Sequence, residues 1–160
     1  MAVPKKILLV HFYSNGDCLY ATAIARQIKQ DFPDCHLTWA IASNCKNIIA
    51  NNPYVDETMV VNYEHSNDNA EMKQLKEKTD LKKYDEIFIT HPSYLPNLAL
   101  YDGCIRSNVF NAYPYPVRVP VTPILQLTDE EQSKCATFAQ QHQIGKYKHV
   151  ILFEFAPQSG

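Results

Sequence analysis

6-KILLVHFYSNGD-17 joins an apolar run to a short polar turn and then to a segment of helical period. Lys6 to Val10 reads as a buried first β-strand, short and continuous in its apolar residues. The turn after it puts one carboxylate, Asp17, at the carboxyl end of that strand, the edge where open α/β sheets bind ligands. Gly16 offers the turn a positive φ or a close approach of backbone to ligand. Asp17 falls in or near the first turn of the next helix, where free N–H groups and the helix dipole favour a negative charge. Two readings stand here: a plain turn with a helix cap, since Asp is a common cap, or a working carboxylate.

Outward from that stretch, apolar runs alternate with helix-period segments. Leu19, Ala23, Ile24 and Ile28 form the stripe of an amphipathic helix over 17–31. Pro33 ends it by disfavouring helical geometry at Phe32. His36 to Ile41 is predicted as a second strand, with Ser43 capping a short helix that runs to Ala50 and stops at Asn51-Asn52-Pro53. Thr58 to Val61 is a third strand, 67–79 a polar helix, and Glu86 to Thr90 a fourth strand closing at His91-Pro92. This alternation predicts right-handed βαβ units and a Rossmann-like parallel sheet with helices on both faces.

Residues 92 to 123 hold most of the prolines. They leave room for a helix over Leu98 to Phe110, but Tyr113-Pro-Tyr-Pro and 119-VPVTP-123 are unsuited to a central strand. Thr128-Asp-Glu-Glu131 is a capping box, predicting a helix to about Gln143 with Gly145 as its stop. Val150 to Phe155 is again strand-like and runs into Ala-Pro-Gln-Ser-Gly. Such a strand and turn begin a βαβ unit, so the expected division is a first domain over 1–145 and the start of a second over 146–160.

The 160 residues, 46% hydrophobic and 20% charged, describe an ordinary globular chain with enough length for a core. A net charge of −2 argues against a general nucleic-acid binder, which needs a basic surface to neutralise phosphates. Five cysteines, Cys18, Cys35, Cys45, Cys104 and Cys135, are odd in number and lack any C-x-x-C pair. They suit neither a zinc site nor a disulfide framework, and point to a reducing, cytoplasmic setting. No run approaches a membrane span. The lysines Lys73, Lys76 and Lys78, interleaved with Glu71 and Glu77, are either a solvated face or a basic anchor for an anionic acceptor or membrane surface.

Four short segments carry a family resemblance: Ser14-Asn15-Gly16-Asp17 after the first strand, Phe32-Pro33-Asp34 at a helix end, 52-NPYVD-56, and Tyr84-Asp85 before the fourth strand. In this order and spacing, over most of 6–160, the chain resembles glycosyltransferase family 9, the heptosyltransferase-like enzymes of lipopolysaccharide synthesis with a two-domain GT-B fold. The resemblance implies an N-terminal acceptor-side domain and a C-terminal domain for the nucleotide-sugar. It implies Asp17 as general base of an inverting, metal-independent transfer of heptose or another hexose-type sugar. The donor, ADP- or UDP-linked, is a co-substrate and no other cofactor is implied; the acceptor is a glycan or glycolipid, with peripheral contact at the inner membrane surface. The chain alone is then expected to be inactive. The family often has a basic residue and two serines before an aliphatic-Gly-Asp; here His11-Phe12-Tyr13-Ser14 and Asn15 stand in those places. A carboxylate held by a helix N-terminus is also expected to be a weakened base.

Other residues carry paired readings. His11 and His91 end strands and either face the cleft as acceptor-binding groups or are structural. Ser14 and Asn15 either donate to an acceptor sugar or close the turn. Arg106 suits an acceptor phosphate or a surface ion pair, and Trp39 the core. Tyr94, Tyr101, Tyr113 and Tyr115 either stack on sugar or pack a loop. Ser159-Gly160 would begin a phosphate loop of the second domain. Two other function classes compete: a dinucleotide enzyme, which wants more glycines in the first turn and an acid after strand two, and a non-catalytic flavodoxin-like binding module.

Overall fold

The computed structural model describes residues 3–63, 70–91 and 103–151. Its elements run β1 (Lys6–Val10), α1 (Asn15–Asp31), β2 (His36–Ala42), a 3-10 turn at Lys46–Ile49, β3 (Glu57–Val61), α2 (Ala70–Lys78), β4 (Glu86–Ile89), α3 (Ile105–Asn111) and α4 (Asp129–Gln141). The chain divides into two compact units, Met1–Gln126 and Leu127–Gly160. Among the described residues the four strands belong to the first, in the order β3-β2-β1-β4 and all parallel. The Rossmann-like α/β architecture expected from the alternation is the one observed.

The side-chain pattern explains the layers. β1 is central, and its odd and even residues enter different cores. Ile7 and Leu9 join Leu37, Trp39, Ile41 and Phe88 against Ala21, Ile24 and Ile28 of α1 and Val109 of α3. Leu8 and Val10 join Ala40, Ala42 and Val61 against Leu75 of α2. The sheet is therefore covered on both faces, which is why its two central strands carry the apolar runs Ile7 to Val10 and Trp39 to Ala42. Edge strands are less covered: Val60 is 36% and Ile87 is 37% exposed.

Three of the family-like segments do structural work. Phe32 leaves the helical region as the C-cap of α1, with φ −134° and ψ 73°, as the following Pro33 demands. In 52-NPYVD-56 the Asn52 side chain accepts from the Tyr54 amide at 3.0 Å, and the Asp56 carboxylate accepts from Leu37 N at 2.6 Å and pairs with Lys29. Asp85 does the same one strand over, accepting from Lys6 N at 2.7 Å. Each aspartate thus closes the amino end of a parallel ladder.

Several local expectations are corrected. Ser43 caps no helix: its N–H donates to Val61 O at 2.8 Å and its hydroxyl accepts from Tyr63 N at 3.2 Å, so it extends the sheet edge. The turn that follows starts instead after Cys45. Gly16 is helical, without a positive φ; the left-handed positions in this unit include Asn51, a residue type that tolerates them. The Thr128–Glu131 capping box forms as expected. The helix it opens ends at Gln141, and the left-handed residue after it is Gln143, not Gly145. Val150 and Ile151 are exposed and not in a strand; 152–160, with the rest of the predicted strand and Ser159-Gly160, lie outside the described residues. So do 67–69 of the polar helix and 98–102 of the predicted 98–110 helix.

The proline-rich stretch forms no strand over its described residues; it crosses the outer face of α1. Gln27, fully buried, accepts from Arg118 N at 2.6 Å and Val119 N at 3.0 Å, while Thr22 Oγ1 accepts from Ile124 N at 2.9 Å. Arg26 donates to the Pro120 and Thr122 carbonyls, and Tyr113 Oη donates to Asp31 at 2.7 Å. Two polar residues inside α1 are thereby satisfied by a strap about a hundred residues away.

Candidate functional site at the carboxyl edge

The strand order places β1 between β2, which follows it, and β4, which arrives from the other side. That reversal is where open α/β sheets form a ligand crevice. The edge there is stiff, because the ladder continues beyond the strands. His11 N donates to Ala40 O, Ala42 N to Phe12 O and Thr90 N to Val10 O, at 3.2, 3.0 and 3.0 Å.

From this edge α1 begins. Ser14 is its N-cap in extended geometry, and Cys18 N donates to Ser14 O at 2.8 Å. The Ser14 side chain does not cap the helix; its hydroxyl and its backbone N–H act on the carboxylate of Asp17, three residues on. Ser14, Asn15 and Gly16 are exposed and Asp17 is half-buried. Burial raises the Asp17 pKa above the ordinary carboxylate value, and the two Ser14 groups only partly oppose it. The net shift is upward, opposite in direction to the weakening expected from the helix terminus. Among the described residues a Cβ on Gly16 would meet nothing within 4 Å, so neither backbone conformation nor packing against them calls for glycine there.

Beneath the turn lie the two histidines. His11 is fully buried and His91 is 2% exposed, with ring centroids 5.3 Å apart and planes at 86°. His11 Nδ1 meets Thr90 Oγ1 at 3.1 Å, and its carbonyl accepts from Trp39 Nε1 at 2.9 Å. Burial, and secondly the neighbouring His91, push the His11 pKa down to about 3; burial pushes His91 down to about 4. Both imidazoles are neutral at pH 7.

Two residues passed over in the sequence complete the edge. The ring of Tyr13, half-buried, meets His91 at 4.5 Å and Tyr63 at 5.2 Å, the latter with planes at 70°. The available signal was positional: each aromatic stands two or three residues past the end of a strand, on the ligand-binding edge.

The remaining candidates lie elsewhere. Trp39 is core. The Arg106 guanidinium lies 6.0 Å from the Tyr20 ring and 5.9 Å from Phe110. Tyr113 and Tyr115 pack with Phe88 and Phe32 as a loop cluster; Tyr94 and Tyr101 lie outside the described residues. Among the α2 lysines, Lys78 donates to Val60 O at 3.0 Å and Lys73 faces Glu77 at 3.9 Å. A concavity of about 350 Å³ opens at the opposite, amino edge, beside Lys6, His36 and Glu57. Its Glu57 already meets His36 and Thr38, at 3.3 and 3.1 Å. Among the described residues no cluster of His, Cys, Asp and Glu could hold a metal ion, and no helix is long and apolar enough to cross a membrane.

No family model and no curated protein sequence matches this chain. Among solved structures it is similar to the glycosyl transferase family 9 from Veillonella parvula DSM 2008, with TM-score 0.61 and 15% identity over 89% of this chain and 51% of that one. It is also similar to E. coli ADP-heptose lps heptosyltransferase II, with TM-score 0.48 and 20% identity over 84% of this chain and 50% of the other. The chain spans about half the length of these structures. At 15% identity, what it shares with the Veillonella protein is the fold: a Rossmann-like α/β architecture found in a family 9 glycosyltransferase.

Proposed function

We propose that this chain carries the acceptor side of an inverting glycosyltransferase in which Asp17 is the general base. The observation that carries the reading is a half-buried carboxylate of raised pKa at the first turn after β1, on the ligand-binding edge. The shared fold supports it.

In this mechanism Asp17 takes the proton of an acceptor hydroxyl as that oxygen bonds to the anomeric carbon of the donor sugar. The bond from that carbon to the nucleotide diphosphate breaks, and the diphosphate leaves with the electron pair. The transition state is oxocarbenium-like, by analogy with glycoside hydrolysis. Burial brings the Asp17 pKa closer to the working pH, which suits a general base. Ser14 orients the carboxylate through its N–H and hydroxyl. Exposed Asn15, and Gly16 with open space where a Cβ would stand, admit the acceptor. His11 and His91, neutral and buried, support this edge from below and supply no charge to the leaving group. A second domain, beginning after about residue 145, would hold the diphosphate with helix N-termini and basic side chains.

The donor proposed is an ADP- or UDP-linked heptose or hexose-type sugar, and the acceptor a lipopolysaccharide or related cell-surface glycan. A cytoplasmic location at the inner membrane surface fits the absence of disulfides among Cys18, Cys35, Cys45, Cys104 and Cys135.

The test is Asp17→Asn in the full-length protein. Transfer should fall roughly a hundred- to ten-thousandfold, the usual weight of a general base, while donor binding is unchanged. The wild-type kcat/KM should lose activity on the acid side at a pH above the ordinary carboxylate range. Wild-type turnover in the variant would reduce Asp17 to a helix cap.

A further inference from the structure

Past the ends of β1 and β3, the ladder carries two aromatic rings to one place. Phe12 O accepts from Ala42 N and Ser43 N donates to Val61 O, so β1, β2 and β3 stay in register beyond their last paired residues. Tyr13 follows β1 and Tyr63 follows β3, the strands on either side of β2, and their rings meet with centroids 5.2 Å apart and planes at 70°, partly packed on the cluster of Leu8, Val10 and Leu75. The two rings make a corner rather than a stack, a floor with a wall. Both are only partly buried.

The corner is held from beneath and behind. Tyr13 rests on His91 at 4.5 Å, and His91 in turn meets Phe12 at 5.7 Å and His11 at 5.3 Å. Tyr63 is pinned through its backbone N–H, which donates to Ser43 Oγ at 3.2 Å. A preformed aromatic surface loses little freedom when a ligand arrives. Tyr13 also adjoins Ser14, the residue whose N–H and hydroxyl engage Asp17. Asp17 thus follows the Tyr13 ring by four residues, at the first turn of α1.

We propose that Tyr13 and Tyr63 form the acceptor platform, on which a pyranose ring stacks through its C–H face while one of its hydroxyls is presented to Asp17. This rests on the glycosyl-transfer reading above and specifies its acceptor side. A pyranose matches the corner: its C–H face is apolar and suits an aromatic ring, and its rim of hydroxyls suits the exposed Ser14 and Asn15. The platform selects a flat, C–H-faced sugar ring and gives no attachment to a bare phosphate.

The test uses the full-length protein with methyl glycosides of hexoses and heptoses and with lipid-free oligosaccharides cut from bacterial lipopolysaccharide. Saturation-transfer and chemical-shift titrations by NMR read which sugar protons lie on a ring and give the dissociation constant. In the wild type, the protons of one sugar face should take most of the saturation and move upfield. Tyr13→Leu and Tyr63→Leu should each weaken binding roughly five- to tenfold, the weight of one aromatic contact, and abolish the upfield shifts. Tyr13→Phe and Tyr63→Phe, which keep the rings, should bind within about twofold and melt like the wild type, which separates loss of the platform from loss of fold. Unchanged binding in both leucine variants overturns the platform, while transfer that still depends on Asp17 leaves the glycosyl-transfer reading standing. Failure of every probe to bind overturns the platform too, and the Asp17→Asn transfer assay alone then decides the broader reading.

Discussion

Lowering the pH from 7.5 to 5 should remove roughly 4 kcal/mol of folding stability through two residues, His11 and His91. Both are buried, and their pKa values are pushed down to about 3 and about 4. In the unfolded chain each returns to about 6.5. The unfolded state therefore binds more protons than the folded one between these limits, and stability rises with pH there. It is fully present above about 6.5, and is lost as pH falls from there toward the folded values. At pH 5 an unfolded histidine is almost wholly protonated and a folded one almost wholly neutral, which costs about 2 kcal/mol for each. Near pH 5.5 the slope should approach two protons, about 2.5 kcal/mol per pH unit. Against a total stability of about 5–15 kcal/mol, that brings the chain close to acid unfolding. Asp17 has the opposite sign, since its raised pKa lets the folded state keep a proton that the unfolded chain has lost; an Asp17→Asn background removes it. Urea unfolding at 25 °C, at half-unit steps from pH 7.5 to 5, measures the slope. His91→Phe keeps a ring against Tyr13 and should halve the slope to about one proton. A variant slope equal to the wild type, or NMR signals of these two imidazoles titrating between pH 6 and 7 in the folded protein, would refute the reasoning.

Two further outcomes follow from the polar contacts that frame the sheet and α1. Asp56→Ala leaves Leu37 N without its acceptor and should cost about 1–3 kcal/mol in urea unfolding. Burial raises the Asp56 pKa, but Lys29 and the Leu37 amide outweigh it and hold the carboxyl below its ordinary value. The stability lost in the variant should therefore be full above about pH 4 and shrink as pH falls through the folded pKa. Gln27→Leu orphans the Arg118 and Val119 amides, and should cost about 2–4 kcal/mol for two unmet donors. Hydrogen exchange should quicken over 117–124 and leave the β1 amides protected; unchanged exchange over 117–124 would show that the strap is held by its other contacts.

What the sequence determined by itself was local in origin. The continuous apolar run of Ile7 to Val10, the helix over 17–31, the halt at Phe32-Pro33 and the Thr128–Glu131 box all express preferences within a few residues, and all appear in the structure, although of the expected stripe only Ile24 and Ile28 join the core cluster and Leu19 is only partly buried. The position of Asp17 after the first strand was legible for the same reason. Its environment was not. The burial that raises its pKa comes from neighbours the local pattern cannot show. Nothing near Gln27 and Thr22 in sequence pointed to their partners, which the strap, 91 to 102 residues away, supplies. His11 meets Thr90 across 79 residues, and Tyr13 meets Tyr63 only because parallel pairing sets β3 beside β2 and β2 beside β1. Periodicity states which side of an element is apolar. Which distant residue covers a buried polar group, and which rings gather at one edge, is settled by strand order, and that order is a property of the folded chain.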